Sequence, residues 1–312
     1  MRNRCCFIIC YFGDFPNYFP LFLKSCEYNR EFEWLIITDN KAEYDYPINV
    51  RKVNMSFSDV NYLINKQCNL DIVMKNPYKL CDFKPLYGKI FAEYLNEFSH
   101  FGHCDIDVIM GKLASFVTDD LLDKYDRLFD YGHMSIYKKK TMSEAYKLPY
   151  SGLDYRKVLS SDYHFGFDEF RGMNVICQEN DIKWYRKNIC ADINRNEYLF
   201  YLNDKVDGSD KVFLFDKGHI YCYARENDEA SLKTEYAYVH LQKRKMKVEK
   251  EIVKEKFYIV PNRFQKDFNT NVNTGGILFY RILRYLNDYK AKVIWNIHWR
   301  VSLLKRKIEL VM

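Results

Sequence analysis

Short, continuously apolar runs alternate with helix-like stretches along the first half of the chain. Residues 4–12 and 33–38 are apolar at nearly every position, which is typical of strands buried on both faces of a parallel sheet. A helical stretch over 15–26 lies between them, and 48–53 predicts a third strand. Residues 56–67 then predict a helix that is capped by a serine. This rhythm indicates an α/β domain with a mixed, mainly parallel central sheet.

The pattern changes toward the middle of the chain. Residues 84–98 predict a long helix with a proline in its first turn, and 101–109 predict a strand with acids at its far end. Residues 125–137 and 211–223 indicate antiparallel strands, the second pair forming a hairpin that turns at an Asp-Lys-Gly sequence. Residues 236–241 alternate in polarity, which predicts a half-exposed strand.

Composition excludes several classes of protein. At 312 residues, with 48% hydrophobic and 17% aromatic residues, the chain is long and apolar enough for a sizeable core and is not a disordered segment. The ten cysteines contain no C-x-x-C pair, so we expect reduced, buried thiols in a cytoplasmic protein. The basic and apolar start is interpreted as a buried strand rather than a signal peptide. No apolar run approaches the roughly 18–20 residues of a membrane span.

Two acids end the strand predicted over 101–109. In an extended chain, Asp105 and Asp107 project to the same face, while Ile106 and Val108 face inward. Two adjacent carboxylates repel each other unless a cation lies between them, and their hard oxygens favour Mg²⁺ or Mn²⁺. Ligands of open α/β sheets bind at the carboxyl ends of the strands. The pair therefore predicts a metal-assisted ligand site.

Seven segments of the chain occur in an order that is shared with a known family. They are residues 6–13, 34–39, 81–88, 102–107, 131–137, 167–169 and 239–244. Together they resemble the bacterial GT-A glycosyltransferases that assemble capsules, exopolysaccharides and O-antigens. The resemblance implies a GT-A-like nucleotide-sugar-binding domain over 1–274. It also implies sugar transfer from a nucleotide-sugar, a UDP-sugar being expected, to a saccharide acceptor that is expected to be lipid-linked.

The resemblance also implies roles for individual residues. Asp107 would bind the Mn²⁺ or Mg²⁺, Asp105 would contact the ribose or the metal, and His240 would complete the metal site as a neutral imidazole. The diphosphate would be neutralised by Lys243 and Arg244. The base and ribose would lie near Tyr11, Phe12, Gly13, Asp39 and Lys84. Each role has an alternative. His240 could be structural, and Lys243 and Arg244 could belong to a solvated basic run. Asp39 could only end its strand or cap a helix, and Lys84 could lie on the surface.

Asp168 and Glu169 lie among aromatic residues and are candidates for a catalytic base. An inverting transfer, which we favour, needs a base for the proton of the acceptor hydroxyl, and apolar surroundings raise the pKa of a carboxyl group. The nearby aromatic residues would stack on a sugar: Tyr163, His164, Phe165 and Phe167. His133 would border the acceptor pocket. The alternatives are a solvated acidic loop and a retaining mechanism, which needs no such base.

The C-terminal residues carry the charge of the chain. Residues 281–312 contain eight Lys or Arg against two acids, a balance of +6 that equals the net charge of the whole protein. We interpret 275–312 as a basic amphipathic helical segment. It either lies on the anionic inner face of the cell membrane, making the protein peripheral, or packs on its own domain.

Two other functions fit part of this sequence pattern. A basic, aromatic-rich chain could bind nucleic acid, but no nucleic-acid motif is present and the body outside the tail is nearly neutral. We therefore expect no nucleic-acid partner. A sugar-phosphate or nucleotidyl transferase on a similar scaffold would use the same pair of acids, and this alternative stays open.

Truncation before Lys290 tests the membrane interpretation of the tail. It should release the protein from anionic vesicles, because each basic residue near such a surface contributes about 1 kcal/mol of attraction, screened within about 8 Å at physiological salt. Co-sedimentation with anionic and neutral vesicles at low and high salt measures the release. Equal recovery of the full-length protein with both vesicle types would contradict a membrane role.

Overall fold

The computed structural model describes residues 4–195, 199–205, 211–226 and 229–267, and the single positions 293, 296 and 300. The strands in chain order are β1 Cys5–Cys10, β2 Phe32–Thr38, β3 Val50–Asn54, β4 His100–Cys104, β5 Val108–Met110, β6 Arg127–Tyr131, β7 Met134–Lys138, β8 Trp184–Tyr185, β9 Cys190–Asp192, β10 Lys211–Asp216, β11 His219–Glu226, β12 Glu229–Tyr236, β13 Tyr238–His240, β14 Lys247–Val248, β15 Lys256–Val260 and β16 Arg263–Gln265. The α-helices are α1 Phe19–Glu27, α2 Phe57–Cys68, α3 Tyr87–Ile90, α4 Asp119–Lys124, α5 Lys139–Met142, α6 Tyr155–Ser160 and α7 Met173–Glu179. The domain boundary at 274/275 and the basic tail lie outside the described ranges and stay predictions.

The central sheet is mixed and mainly parallel, as the sequence predicts. Its seven strands have the order β3-β2-β1-β4-β7-β6-β8. Strands β3, β2, β1 and β4 are parallel to one another, β7 is antiparallel to both β4 and β6, and β8 is parallel to β6. Strand β1 is continuously apolar because it pairs on both sides and apolar clusters cover both faces.

The serine cap predicted for the second helix is confirmed. The Ser56 hydroxyl accepts the backbone N–H of Asp59 at 3.1 Å, and the Asp59 carboxylate accepts the backbone N–H of Ser56 at 2.8 Å. This reciprocal pair satisfies two backbone donors at the start of α2. The helix ends at Asn69, which has a left-handed conformation with φ +54°.

The long helix predicted over 84–98 is wrong. The chain instead forms a 3₁₀ segment at Pro77–Leu86, the single turn α3 and a second 3₁₀ turn at Ala92–Tyr94. Pro85 removes a backbone donor inside the first segment. Gly88 packs so closely on the Phe101 ring that an added Cβ would lie 2.4 Å from it. These constraints replace a continuous helix with short turns.

The single strand predicted over 101–109 is also wrong. The chain leaves the central sheet after Cys104 and enters a separate three-stranded sheet, β5-β13-β9, at Val108. At the crossing, the backbone N–H of Asp105 donates to His133 at 2.9 Å, and the carbonyl of Asp107 accepts from Leu241 at 2.8 Å. The two acids therefore connect two sheets. Ile106 is buried, as expected.

The second half contains the predicted antiparallel strands. Strands β6 and β7 pair in this way, and β10 and β11 form a hairpin within a six-stranded sheet. Its turn has φ +46° at Lys217 and +88° at Gly218, conformations that glycine adopts without strain. The half-exposed strand predicted over 236–241 is wrong, because β13 is buried between β5 and β9.

All ten cysteines are free thiols, and seven are buried. None of the helices in the described part of the chain is both long and apolar enough to span a bilayer.

A buried ion pair holds the 3₁₀ segment against the loop that carries Asp168. The Lys79 ammonium lies 2.8 Å from the Asp82 carboxylate, and both side chains are almost fully buried. The carboxylate also accepts the backbone N–H groups of Phe165 and Phe167 at 2.9 Å each. Asp82 therefore fixes the path of residues 165–168.

Asp82→Asn should lower the free energy of unfolding by about 3–5 kcal/mol, because it leaves the Lys79 cation buried without its counter-charge. Denaturant titration followed by circular dichroism measures this difference. The same substitution at the exposed Asp71 is the control and should change stability little. A loss below about 1 kcal/mol in Asp82→Asn would contradict the structural role of the pair.

Candidate metal and nucleotide site

A cavity of about 750 Å³ opens at the carboxyl ends of β1 and β4. Tyr11 and Phe12 line it directly after β1, and the 3₁₀ segment contributes Tyr78 and Lys84. Residues 105–107 and 243–246 complete the wall. Open α/β folds bind their ligands at this edge of the sheet. The cavity has the volume of a typical cofactor or small-molecule site.

Two potential metal ligands on the cavity wall, Asp105 and Asp107, lie close to a third, His240. One ligand atom from each of Asp105, Asp107 and His240 lies within 4.8 Å of the other two. The Nε2 atom of His240 is 3.6 Å from a carboxylate oxygen of Asp107. Two carboxylates and an imidazole form a donor set that fits Mn²⁺, and Mg²⁺ less well, since Mg²⁺ takes oxygen ligands. The residues present thus fit a divalent cation.

Charge in the site is compensated by close partners. Burial opposes ionisation of Asp107, but hydrogen bonds from His240 and from the backbone N–H of Lys243 lower its pKa to about 2. Burial likewise opposes protonation of His240, whereas its bonds to Asp107 and Asp192 raise its pKa to about 10. Without a metal, the imidazole is therefore protonated at neutral pH rather than neutral, and a metal has to displace that proton.

The backbone after β13 has an uncommon conformation. Gln242 and Lys243 both have left-handed φ values, +52° and +55°. Each such residue costs of order 1–3 kcal/mol unless its surroundings hold it there. The bend points the backbone N–H of Lys243 at the Asp107 carboxylate, 2.5 Å away. Two of the seven non-glycine residues with positive φ in the described part of the chain thus lie beside the candidate metal ligands.

Lys84 is a buried cation beneath the two acids. Its ammonium donates to the Asp105 carboxylate and to the carbonyl of Gly132, each at 2.6 Å, and lies 3.9 Å from the Asp168 carboxylate. Burial acts against its charge, but the neighbouring carboxylates raise the pKa of Lys84. Lys84 is therefore not a surface residue, and its ammonium fixes the position of the Asp105 carboxylate.

The residues expected near the base and ribose divide into two groups. Tyr11 and Phe12 line the cavity, whereas Gly13 and Asp39, both within the described part of the chain, lie outside its wall. The backbone N–H of Gly13 donates to the Asp39 carboxylate at 2.8 Å, and Gly13 has φ +91°. Asp39 therefore fixes the loop after β1.

The two basic residues after β13 differ in their contacts. The Lys243 ammonium lies 4.2 Å from the centre of the Tyr78 ring, at the cavity wall. The Arg244 guanidinium donates to the side chain of Asn262 at 3.1 Å and to the carbonyl of Asn194 at 2.8 Å. Arg244 thus connects two loops, while Lys243 is placed to meet an anion in the cavity.

Asp168 and Glu169 lie behind Lys84 rather than on the cavity wall. Asp168 is only 3% exposed, and burial raises its pKa while Lys84 opposes the rise. Glu169 accepts the backbone N–H of Gly132 at 2.5 Å. Phe165 and Phe167 belong to the buried core, so the expected stacking of these two on a sugar is wrong.

The expected place of His133 beside an acceptor is not supported. Its side chain is buried, with Nδ1 3.1 Å from the Tyr238 hydroxyl and its ring centre 4.1 Å from that of His240. Burial lowers the pKa of His133 well below its usual value, and His240 adds to the effect. His133 is therefore a neutral ring that packs against the ring of His240.

Asp192 is a site residue that the sequence analysis missed. One of its carboxylate oxygens accepts from Nδ1 of His240 at 2.8 Å and from the Gln242 amide at 2.7 Å. It stands 48 residues from His240 along the chain, and no local spacing marks it. Only the pairing of β9 with β13 brings the two together.

The model of a family of unknown function, DUF6625, matches residues 7–267. The chain belongs to this family. No curated protein matches its sequence.

Two solved structures of the galactosyltransferase LgtC share some of this DUF6625 chain's overall shape. The complex of LgtC with donor and acceptor sugar analogs is 10% identical, with a TM-score of 0.35 over 60% of this chain and 75% of that one. An active-site mutant of LgtC is 8% identical, with a TM-score of 0.36 over 75% of this chain and 86% of that one. Likeness at this level assigns no function, which has to come from the residues of the site.

The protonated state of His240 predicts a pH-dependent metal affinity. Because the pKa of His240 is about 10, a bound metal displaces a proton throughout the range below it. The association constant for Mn²⁺ should therefore rise by nearly tenfold per pH unit between about pH 6.5 and 8.5. Asp107, whose pKa is about 2, does not titrate in this range. Calorimetry in buffers of different ionisation enthalpy measures both the affinity and the released proton. An affinity that does not change with pH would contradict a protonated His240 from which the metal displaces a proton.

Proposed function

We propose that this protein is a metal-dependent glycosyltransferase that moves a sugar from a UDP-linked donor to a saccharide acceptor. The observation that carries the proposal is the cluster of Asp105, Asp107 and His240, whose two acids lie on the same cavity wall as Lys243. Paired acids alone would repel a diphosphate, and a cation held between them reverses that effect.

The reaction requires stabilisation of a leaving nucleoside diphosphate. A divalent ion, when bound, acts as a Lewis acid on the diphosphate oxygens. The chain's own contribution is the fixed ligand set and the ammonium of Lys243, which is a point charge at the cavity wall. The imidazole nitrogen of His240 favours Mn²⁺ over Mg²⁺ as that ion.

The apolar part of the cavity suits the nucleoside. Tyr11 and Phe12 line the cavity directly after β1, next to the apolar Ile8 and Ile9. Aromatic side chains provide flat surfaces for a base, while polar groups at the other end of the cavity fix the charged part. We place the uracil near Tyr11 and the diphosphate near residues 105–107.

Asp168 and Glu169 are proposed as positioning residues. Asp168 lies 3.9 Å from the ammonium of Lys84, and Glu169 holds the backbone of Gly132, whose carbonyl accepts from the same ammonium. Both therefore act on Asp105 through Lys84. This arrangement does not supply the exposed base that an inverting transfer needs, and it is compatible with a retaining one.

The acceptor and the pathway rest on the resemblance of the seven sequence segments. We propose a lipid-linked saccharide acceptor in cell-surface polysaccharide synthesis, with the enzyme in the cytoplasm at the inner membrane face. The +6 balance of residues 281–312 supports that location by electrostatic attraction. Sugar-phosphate or nucleotidyl transfer is the alternative, and the chemical identity of the product decides between them.

Asp107→Asn tests the metal-dependent donor site. It should weaken Mn²⁺-dependent UDP binding by about tenfold or more, because one anionic ligand is lost. Calorimetry of UDP binding with Mn²⁺ and with EDTA measures the effect, and Asp71→Asn is the matched control. Tight UDP binding in EDTA, or unchanged binding in Asp107→Asn, would contradict the proposal.

A donor screen tests the class of reaction. The protein is incubated with Mn²⁺, individual nucleotide-sugars and saccharide acceptors, and the products are identified by mass spectrometry. A glycoside together with a free nucleoside diphosphate is expected. A sugar phosphate or a new nucleotide-sugar as the product would replace glycosyl transfer with the alternative function.

A further inference from the structure

The geometry points to Asp192 as the residue that positions the metal site, by holding both the His240 imidazole and the bend at 242–243. This inference rests on the proposed metal-dependent function. Asp192 lies at the end of β9, in parallel register with His240 on β13, so the two side chains are neighbours. It acts through other residues and does not itself face the cavity wall.

The first contact sets the orientation of the imidazole. An Asp192 oxygen accepts from Nδ1 of His240 at 2.8 Å, so Nδ1 carries the donated proton. The other ring nitrogen, Nε2, then faces the Asp107 carboxylate at 3.6 Å. A carboxylate behind a ligating histidine fixes both its tautomer and its ring plane. The neutral ring of His133, 4.1 Å away between centres, restricts tilting of His240.

The second contact stabilises the strained bend. The same Asp192 oxygen accepts from the side-chain amide of Gln242 at 2.7 Å, and Gln242 is one of the two left-handed residues. The following N–H, that of Lys243, donates to Asp107. One carboxylate oxygen thereby controls two of the groups that meet at Asp107.

Asp192 is itself rigidly placed. Its second carboxylate oxygen accepts from the Asn203 amide at 2.7 Å, and its carbonyl accepts the Asn203 backbone N–H at 2.9 Å. Because Asn203 fixes the Asp192 carboxylate, that carboxylate can hold His240 and Gln242 in place. An amide at position 192 would present a donor to one of these partners and would lose the charge.

The test is Asp192→Asn, measured with Mn²⁺ as the probe on the full chain. Free Mn²⁺ quantified by electron paramagnetic resonance gives the affinity, and spin-echo modulation detects the nitrogen-14 coupling of a bound imidazole. We expect a 10- to 100-fold loss of Mn²⁺ affinity and a weakened nitrogen coupling at full occupancy. The melting temperature is recorded alongside. The matched control is Asp71→Asn, at an exposed acid away from the site, which should behave as wild type.

The outcomes separate the inference from the function on which it rests. The proposed metal site requires a nitrogen coupling that is present in the wild type and lost in His240→Asn. If this coupling is not found, the proposed metal site fails and this inference fails with it. If that coupling is present and Asp192→Asn keeps both the coupling and the affinity, the inference alone is overturned.

A second measurement covers the case in which Asp192→Asn does not fold. Spectra of the metal-free wild type labelled with nitrogen-15 histidine should contain a hydrogen-bonded Nδ1–H resonance that disappears in His240→Asn. The absence of such a resonance in the wild type would overturn the role of Asp192.

Discussion

The site depends on the compensation of one buried carboxylate, that of Asp107. A carboxylate that is only 4% exposed has to be hydrogen-bonded and paired with a positive charge. Here the partners are the backbone N–H of Lys243, in the bend after β13, and the imidazole of His240. Each partner needs support in turn, which the β9–β13 pairing and Asp192 provide. The three-stranded sheet and the bend that follows it therefore supply the groups that satisfy this carboxylate.

The second acid, Asp105, depends on a different part of the fold. Its carboxylate is held by Lys84, which belongs to the 3₁₀ segment, and that segment is held by the buried pair of Lys79 and Asp82. The two acids are two residues apart in sequence but are ordered by separate structural units. The crossing of the chain between the two sheets is what brings these units to one cavity. A cation bound there would connect them.

The sequence predicts the parts of the structure that depend on local pattern. Buried parallel strands, the cap at Ser56 and the hairpin turn at Lys217 follow from apolar runs and turn chemistry. Asp105 and Asp107 could be predicted as site residues because they follow an apolar run and are two positions apart. The broken helix after Lys84 was not predictable, because the close approach of Gly88 to Phe101 is a tertiary contact. Asp192 and the bend at 242–243 were missed because they act through the pairing of strands far apart in sequence.

The most direct test of the metal-dependent site is anomalous diffraction at the manganese absorption edge, on crystals grown with Mn²⁺ and UDP. Our account predicts one strong anomalous peak within coordination distance of Asp107 and His240, next to the diphosphate. A peak elsewhere, or UDP bound in the cavity with no anomalous peak beside these residues, would contradict it.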